Sequence, residues 1–209
     1  MMCYFLILFL FLSNISVTVN SQHHGNVCDP KQGLALLHFK NVFSLDMPSS
    51  SWSELYPRTF TWNETTDCCL WDGVECDDEG QGHIVGLHLG CSLLHGTLHP
   101  NNTLFTLSHL KTLNLSYNNF AGSPLSPQFG MLSNLRVLDL SGSSFKGHVP
   151  LQISHLSKLV SLHLSYNSDL SFSNLVMNQL VHNLTNLRDL GLADTNISYS
   201  ILTGTFLIG

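Results

Sequence analysis

The sequence LKTLNLSYNNF, which runs from Leu110 to Phe120, recurs three more times along the chain with its leucine spacing unchanged. The later copies are LRVLDLSGSSF from Leu135, LVSLHLSYNSD from Leu159 and LRDLGLADTNI from Leu187. Leucine stands at the first, fourth and sixth positions of each copy, and the copies begin 25, 24 and 28 residues apart. A weaker copy lies upstream, at Ile84, Leu87, Leu89, Ser92 and Leu94. A repeat of this kind predicts similar units stacked on one another.

This spacing and a period of roughly 20 to 29 residues are typical of the leucine-rich repeat. Each repeat forms one turn of a right-handed coil and contains a short strand, in which successive side chains point to opposite faces. In the first full copy, Leu113 and Leu115 point into a shared core and Asn114 points outward. One coil cannot bury its leucines alone, whereas stacked coils can. The sequence therefore predicts an α/β solenoid with short parallel strands on its concave face.

The ninth position of the pattern is polar in all four copies. It carries Asn118 and Asn167 in two of them, and Ser143 and Thr195 in the others. A side-chain amide at this position can satisfy backbone groups of the turn and extend the hydrogen bonding to the next coil. We therefore expect a weaker ladder of hydrogen bonds at Ser143 and Thr195.

Composition and charge exclude several classes of protein. Of the 209 residues, 44% are hydrophobic and 11% are charged, which is too apolar for a disordered chain. The net charge is -6, and ten of the fourteen acidic residues lie between Asp29 and Glu79. We find no basic stripe of the kind that nucleic-acid binding requires. The acidity therefore belongs to the N-terminal segment.

The first twelve residues, Met1 to Leu12, form an unbroken apolar run. This length suits the apolar region of a secretory signal peptide and is too short to cross a membrane. We predict a signal peptide cleaved near Ser21 and Gln22, and therefore a secreted or extracellular chain. The alternative is a buried N-terminal strand.

Five cysteines remain after such a cleavage: Cys28, Cys68, Cys69, Cys76 and Cys91. The first four lie around an acidic loop that contains tryptophan, and in an oxidising compartment they indicate disulfides. A metal site is the alternative, which the adjacent Cys68 and Cys69 and the absence of a C-x-x-C pair disfavour. Cys91 is left over, as a free thiol or as half of an intermolecular bridge.

A short helix is predicted just after Cys28. Asp29 stands where an N-cap belongs, and Pro30 stands at the first helical position. The expected apolar face consists of Leu34, Leu37, Phe39, Val42 and Phe43. This helix should cover the open end of the coil stack, and residues 44–66, with their serines and prolines, are expected to form a loop.

The segment from Trp62 to Cys76, WNETTDCCLWDGVEC, resembles the N-terminal cap of plant extracellular leucine-rich-repeat proteins. The plant-type repeat of that family is matched in full at Phe145, Gly147, Val149, Pro150, Ile153 and Leu156. Within the family the chain is most similar to the Cf-class receptor-like proteins, through the stretch Tyr56 to Thr59 and the insertion Gly122 to Pro127. The resemblance covers essentially the whole mature chain.

This resemblance implies a non-enzymatic surface receptor that binds a protein or peptide ligand and acts in plant defence with partner kinases. It also implies two disulfides, Cys28 with Cys68 and Cys69 with Cys76. No membrane span is present within these residues. The alternative function is a soluble inhibitor of cell-wall-degrading enzymes, because polygalacturonase-inhibiting proteins share the same cap and repeat type.

Four segments are predicted: a signal peptide at 1–21, a cysteine-containing cap at 22–82, four to five plant-type repeats at 83–198, and an apolar truncated tail at 199–209. The tail lacks the leucine series of a further repeat. The chain is thus expected to be the N-terminal part of a longer receptor. Its last repeat should keep an uncovered apolar flank, which would make the isolated chain poorly soluble.

Two sets of candidate site residues follow. N-x-S/T sequons predict glycosylation at Asn63, Asn101, Asn114, Asn183 and Asn196. The outward strand positions predict a ligand surface, with a central column at His88, Asn114, Asp139, His163 and Gly191, flanked by Thr112, Tyr117, Ser161, Tyr166 and Asp189. Repeat proteins bind over such concave faces, and tyrosine is favoured at contact hot spots. The alternative is an ordinary solvated strand face.

Catalytic motifs are not found. The sequence lacks a G-x-S-x-G elbow, a glycine-rich phosphate loop and the kinase motifs. Among the twelve histidines, His88 and His163 lie three repeats apart, too far to share an ion. We therefore expect neither an enzyme nor a cofactor.

Overall fold

A computed structural model describes residues 27–46, 56–78 and 80–197, so the predictions for residues 1–21 and 199–209 lie outside the described residues. The helices of the described part are α1 (Pro30–Asn41) and α2 (Asn174–Asn183). Its strands are β1 (Ser44–Leu45), β2 (Val74–Cys76), β3 (Ile84–His88), β4 (Leu94–His95), β5 (Thr112–Asn114), β6 (Val137–Asp139), β7 (Gly147–His148), β8 (Ser161–His163), β9 (Leu170–Phe172), β10 (Asp189–Gly191) and β11 (Asn196–Ile197). Short 3-10 helices lie at Arg58–Thr61, Cys68–Leu70, Thr103–Thr106, Pro127–Met131 and Leu151–His155. None of these helices is long and apolar enough to cross a membrane.

Six strands form the concave sheet, in the order β10-β8-β6-β5-β3-β2. Neighbours are parallel except for β2, which pairs antiparallel with β3. The register places the central leucines of the five repeats opposite one another: Leu87, Leu113, Leu138, Leu162 and Leu190. The predicted leucine-rich-repeat coil is therefore confirmed, and β2 extends its sheet by one strand that the repeat pattern did not predict.

The convex side is built from 3-10 helices and a second parallel sheet, in the order β11-β9-β7. Aromatic rings fill the core beneath it. Phe120 stacks on Phe145 at 5.1 Å between ring centroids, and Phe43, which follows α1, meets Phe120 edge-on at 5.5 Å. The cap and the repeats therefore share one continuous apolar core.

Asn118 and Asn167 join successive coils as predicted. The Asn167 amide donates to the carbonyl oxygens of Leu140, in the preceding coil, and Leu164, in its own coil, both at 2.9 Å. Its Oδ1 accepts the N–H groups of Ser143 at 3.2 Å and Phe145 at 2.9 Å. These bonds satisfy backbone groups inside a turn that water cannot reach.

The hydroxyl side chains at the same position make fewer bonds. Ser143 Oγ still reaches the preceding coil, at 2.8 Å from the carbonyl oxygen of Leu115. Thr195 Oγ1 donates to the carbonyl oxygen of Leu192 within its own coil, at 2.8 Å. Fewer side-chain hydrogen bonds therefore join the coils at both positions, because a hydroxyl group has one hydrogen to donate and an amide has two.

Helix α1 begins where the sequence predicts, because Asp29 Oδ1 accepts the N–H of Lys31 at 2.9 Å. The predicted apolar face is partly wrong, since Leu34 and Val42 are about half exposed. The residues that the helix buries are Gln32, Gly33, Ala35, Leu36 and Phe39. The small residues among them let the helix backbone approach the disulfide: a Cβ on Gly33 would lie 3.0 Å from Cys68 Sγ.

Two further elements depart from expectation. Residues 44–66 are not entirely loop, because β1 pairs antiparallel with β4 of the first repeat. The helix α2 fills the convex side of the repeat that begins at Leu159, where the copies are 28 residues apart. Ser173 Oγ accepts the N–H of Val176 at 3.3 Å and so caps this helix. The longer spacing supplied the residues for a full helix in place of a short 3-10 turn.

The last described coil is less buried than the others. Leu190 is 44% exposed, whereas the four leucines that align with it are fully buried. Leu175 and Val181 on α2, in the preceding coil, are also exposed. The uncovered flank expected for the last repeat stays a prediction.

Candidate recognition surface

The concave sheet brings the predicted central column together. Strand pairing aligns His88 with Asn114, Asn114 with Asp139, Asp139 with His163, and His163 with Gly191. A second outward row runs beside it through Gly86, Thr112, Val137, Ser161 and Asp189. Three of these residues were predicted as flanking positions, and Gly86 and Val137 were not. Adjacent strands lie about 4.8 Å apart, so each row extends over roughly 19 Å.

Two histidines of the column each lie beside a carboxylate. His88 Nε2 is 3.2 Å from Glu75 Oε2, and His163 Nε2 is 2.8 Å from Asp189 Oδ2. The second distance is short, but His163 Nε2 makes no hydrogen bond, so the two groups form an ion pair only when the ring carries a proton.

The two predicted tyrosines lie on the turn that follows the strands. Tyr117 and Tyr166 adopt φ values of 54° and 59°, which large side chains seldom do, and Gly142 occupies the coil between them at φ 60°. Tyr166 is 46% exposed and Tyr117 is half-buried. Burial raises the pKa of the Tyr117 phenol, and the nearby Tyr166 and Asp139 raise it further. The phenol is therefore a neutral donor at physiological pH.

A basic row borders the concave face and was missed in the sequence. Backbone hydrogen bonds connect Val85, Lys111, Arg136, Val160 and Arg188 from coil to coil. Within the described residues the side chains of Lys111, Arg136 and Arg188 make no ion pair. Aligning the copies of the repeat would have predicted this row, since Lys111, Arg136 and Arg188 each follow the first leucine of their copy.

A cavity of about 450 Å³ lies between this row and the sheet edge at β2. Its walls carry opposite charges, with Lys111 and Arg136 on one side and Glu75, Asp77 and Asp78 on the other. The concave face is thus neither uniformly acidic nor uniformly basic.

The sequons differ in accessibility. Asn63, Asn101, Asn183 and Asn196 are exposed, whereas Asn114 is half-buried in the central column. Asn114 Oδ1 accepts both the N–H and the hydroxyl of Ser116, at 2.9 and 2.7 Å. Glycosylation of all five remains a prediction.

The cysteines of the cap are joined as the resemblance implies, Cys28 to Cys68 and Cys69 to Cys76. Cys91 is also disulfide-bonded, so the free thiol, one of the two states expected for it, is wrong. The sulfur atoms of Cys28, Cys69 and Cys76 lie within 4.8 Å of one another. They are held in disulfides, whereas a metal ion would need the thiolates. This cluster therefore stabilises the cap by covalent cross-links.

Comparisons with known proteins agree with this geometry. The family described as "Leucine rich repeat N-terminal domain" matches residues 29–77, and the family "Leucine Rich Repeat" matches residues 109–132 and 134–156. The chain is 45% identical over 206 residues to Receptor-like protein Cf-9 of Solanum pimpinellifolium. This match covers 94% of the chain and 23% of that relative.

Two solved structures from Arabidopsis thaliana are similar in fold. One is the ectodomain of the membrane receptor kinase GASSHO1/SCHENGEN3 in complex with CASPARIAN STRIP INTEGRITY FACTOR 2, with a TM-score of 0.60 and 25% identity. That match covers 78% of this chain and 18% of the other. The second is the BIR3–SERK2 complex, with a TM-score of 0.60, 28% identity, and coverage of 82% and 87%.

The disulfide-bonded cap, the aligned leucines and the asparagine ladder define a leucine-rich-repeat solenoid of the plant extracellular type. The chain belongs to the plant leucine-rich-repeat receptor-like proteins. It spans about a quarter of the length of the curated relatives it matches.

Proposed function

We propose that this chain is a non-catalytic extracellular recognition module, the part of a receptor-like protein that senses a pathogen-derived or other extracellular ligand in plant defence. The observation that carries the proposal is the alignment of outward polar side chains over five coils of one rigid sheet. Side chains fixed by a regular sheet can contact several points of an extended ligand without a large ordering cost.

The comparisons support this function and its partners. One similar solved structure is the ectodomain of GASSHO1/SCHENGEN3 in complex with CASPARIAN STRIP INTEGRITY FACTOR 2, and the other is the BIR3–SERK2 complex. The curated relatives are receptor-like proteins. We propose by analogy that the ligand is a protein or peptide and that a receptor kinase is the signalling partner of the full-length protein. The predicted signal peptide would take the module to the cell surface or the apoplast.

A photocrosslinking experiment tests the proposal. A photoreactive residue replaces Thr112, which lies on the concave face, and in a control protein it replaces Gln152, which is exposed on the convex side. Both proteins are incubated with extracellular fluid from infected and healthy plants. We expect the Thr112 protein to capture a defined protein or peptide from infected fluid and the Gln152 protein to capture none. Capture only from the convex position would contradict the proposal.

The same preparations discriminate the alternative function. Wild-type protein is added to a fungal endopolygalacturonase, and the release of reducing ends from polygalacturonate is measured. We expect no inhibition when the chain is in tenfold molar excess over the enzyme. At an enzyme concentration of about 1 μM, this excess would reveal even an inhibitor with a Kd of about 1 μM. Stoichiometric inhibition would identify the chain as an inhibitor of wall-degrading enzymes instead.

A further inference from the structure

We propose that Tyr117, Asp139 and Tyr166 bind a positively charged side chain, preferably arginine, of a peptide ligand. This inference rests on the proposed function and deepens it by naming the chemistry of one ligand residue. The three residues are hereafter called the tyrosine–aspartate subsite.

The repeat register determines the spacing of the subsite. The Tyr117 N–H donates to the carbonyl oxygen of Ser141 at 2.8 Å, and the Gly142 N–H donates to that of Ser165 at 2.8 Å. Tyr117, Gly142 and Tyr166 therefore stand on three successive coils, and the two tyrosines are separated by about 10 Å of backbone. The coil between them carries no side chain at this position.

The space that a side chain at position 142 would fill is taken by an aromatic ring. An added Cβ on Gly142 would lie 2.7 Å from Cδ1 of Tyr117, so the Tyr117 ring leans over this glycine. Tyr166 stands on the next coil, is 46% exposed, and lies near enough to the Tyr117 phenol to interact with it electrostatically. A planar group that stacks on the exposed Tyr166 ring therefore comes next to the Tyr117 ring as well.

Asp139 supplies the charge. Its Oδ1 accepts the N–H of Ser141 at 3.0 Å, which holds the carboxylate in the column and leaves Oδ2 for a ligand. His163 is its neighbour in the register, but the His163 ring lies 2.8 Å from Asp189 on the opposite side. Among the described residues, no ion pair includes Asp139. A cation on the ligand would provide the missing counter-charge.

These groups favour a guanidinium over other ligand chemistries. A guanidinium stacks on aromatic faces and at the same time donates parallel hydrogen bonds to a carboxylate. An anionic ligand would be repelled by Asp139, and a neutral sugar could use the rings but would gain nothing from the charge. The left-handed backbone at Tyr117 and Tyr166 is a property of the repeat turn, since Cys91, Gly142 and Asp194 at the same position also have positive φ.

Two blocked peptides test the subsite directly. One is Gly-Ser-Arg-Ser-Gly, and the other replaces arginine with citrulline, which has nearly the same shape but no charge. Both are titrated into the full chain carrying ¹³C-labelled tyrosine rings, and ring resonances are followed by NMR. We expect the arginine peptide to shift the rings of Tyr117 and Tyr166 and to bind about tenfold more tightly than the citrulline peptide.

Matched variants separate the subsite from general acidity. Asp139→Asn keeps an oxygen for the Ser141 N–H but removes the charge, and we expect it to abolish the arginine preference. Tyr166→Leu should weaken the arginine peptide by about fivefold, because the cation–π attraction is lost. Asp169→Asn removes the same charge from an exposed residue outside the concave sheet and should change nothing. Thermal melts of each variant verify that it is folded.

Equal binding of the two peptides, or an arginine preference that survives in Asp139→Asn, would overturn the inference. Its failure can be told apart from failure of the proposed function, because crosslinking from Thr112 does not depend on Asp139. Capture of an extracellular ligand at Thr112 together with equal binding of the peptides would reject the subsite and leave the recognition function in place.

Discussion

In the coils between Leu110 and Leu164, most structural devices are repeated. Each central leucine faces the same residue of the next coil, and the amides of Asn118 and Asn167, two coils apart, donate to equivalent carbonyl oxygens. In the cap, by contrast, each contact occurs once: two disulfides, a capped helix and the stacked rings of Trp62 and Trp71, 5.3 Å apart. The repeats therefore gain stability from each neighbour interface, while the cap depends on covalent links and on a few single bonds.

This difference predicts that the repeats unfold together when one shared contact is lost. Leu138→Asp would place a carboxylate among the fully buried leucines of the concave sheet. We expect a loss of more than about 4 kcal/mol, because a cavity and an unpaired buried charge are created at once. Far-UV circular dichroism and thermal melting measure the effect.

The control for this change lies on the same strand. Val137→Asp introduces the same carboxylate next to Leu138, but on the outward face of β6, where the side chain is half-buried. We expect a cost of less than about 1 kcal/mol, as is usual for surface substitutions. A native spectrum for Leu138→Asp would contradict the stacking register.

The cap should unfold separately from the repeats, and its two disulfides should contribute different amounts to its stability. The Cys28–Cys68 link spans 40 residues, whereas Cys69–Cys76 spans 7. In the chain-entropy model, replacing both cysteines of a pair by serine then costs about 4 kcal/mol for the first link and about 2 kcal/mol for the second.

Hydrogen exchange with mass spectrometry resolves the two regions. Faster exchange should appear first in peptides from residues 28–76 and later, or not at all, in peptides from residues 110–164. Simultaneous loss of protection in both regions would show that the cap and the repeats unfold as one unit. In that case the contrast between them would be one of bonding only, not of stability.

Within the repeats, the ladder position tests how far periodic bonding matters. Asn167→Ala would leave the carbonyl oxygens of Leu140 and Leu164 and the N–H of Phe145 without their partner. We expect about 2 to 4 kcal/mol of destabilisation, against about 1 kcal/mol for Ser143→Ala. Urea titrations of both variants, with the exposed Asn178→Ala as control, give the comparison. Equal costs at the two positions would mean that backbone pairing alone holds the coils.

The same contrast explains what the sequence could predict. Periodic features were predicted correctly, because four copies of a pattern support one another and Leu138 or Asn167 can be read from its neighbours. The face of α1 could not be, since a helix placed against a disulfide buries small residues such as Gly33 and Ala35, which a search for apolar spacing overlooks. The basic row was missed because Lys111 and Arg136 are distant in sequence and adjacent only in register.

The smallest effect concerns the acid dependence of the cap. The Lys31 N–H holds the pKa of Asp29 below its usual value of 3.8, aided by the Gln32 amide and by the positive charges of His83 and Lys31, and burial opposes them only in part. Because the folded-state pKa is the lower one, the stabilisation is present above about pH 3.8 and is lost as the pH falls below it. Asp29→Ala should therefore cost about 1 kcal/mol at pH 7, the usual value of a helix N-cap.

Asp29→Asn makes this prediction specific, because its oxygen still accepts the Lys31 N–H but cannot titrate. We expect it to lose only a few tenths of a kcal/mol at pH 7 and to show a weaker acid dependence than wild type. The measurement is the stability of the cap from exchange of residues 28–76 between pH 7 and about pH 2.5, at rates corrected for intrinsic exchange. The gap between wild type and Asp29→Ala should narrow at the acid end by a few tenths of a kcal/mol, to the gap between Asp29→Asn and Asp29→Ala, because a protonated carboxyl group still accepts the Lys31 N–H. Residues 110–164 should follow the same curve in all three proteins. A gap that stays constant with pH would mean that the Asp29 carboxylate stabilises the helix through its shape and not through its charge.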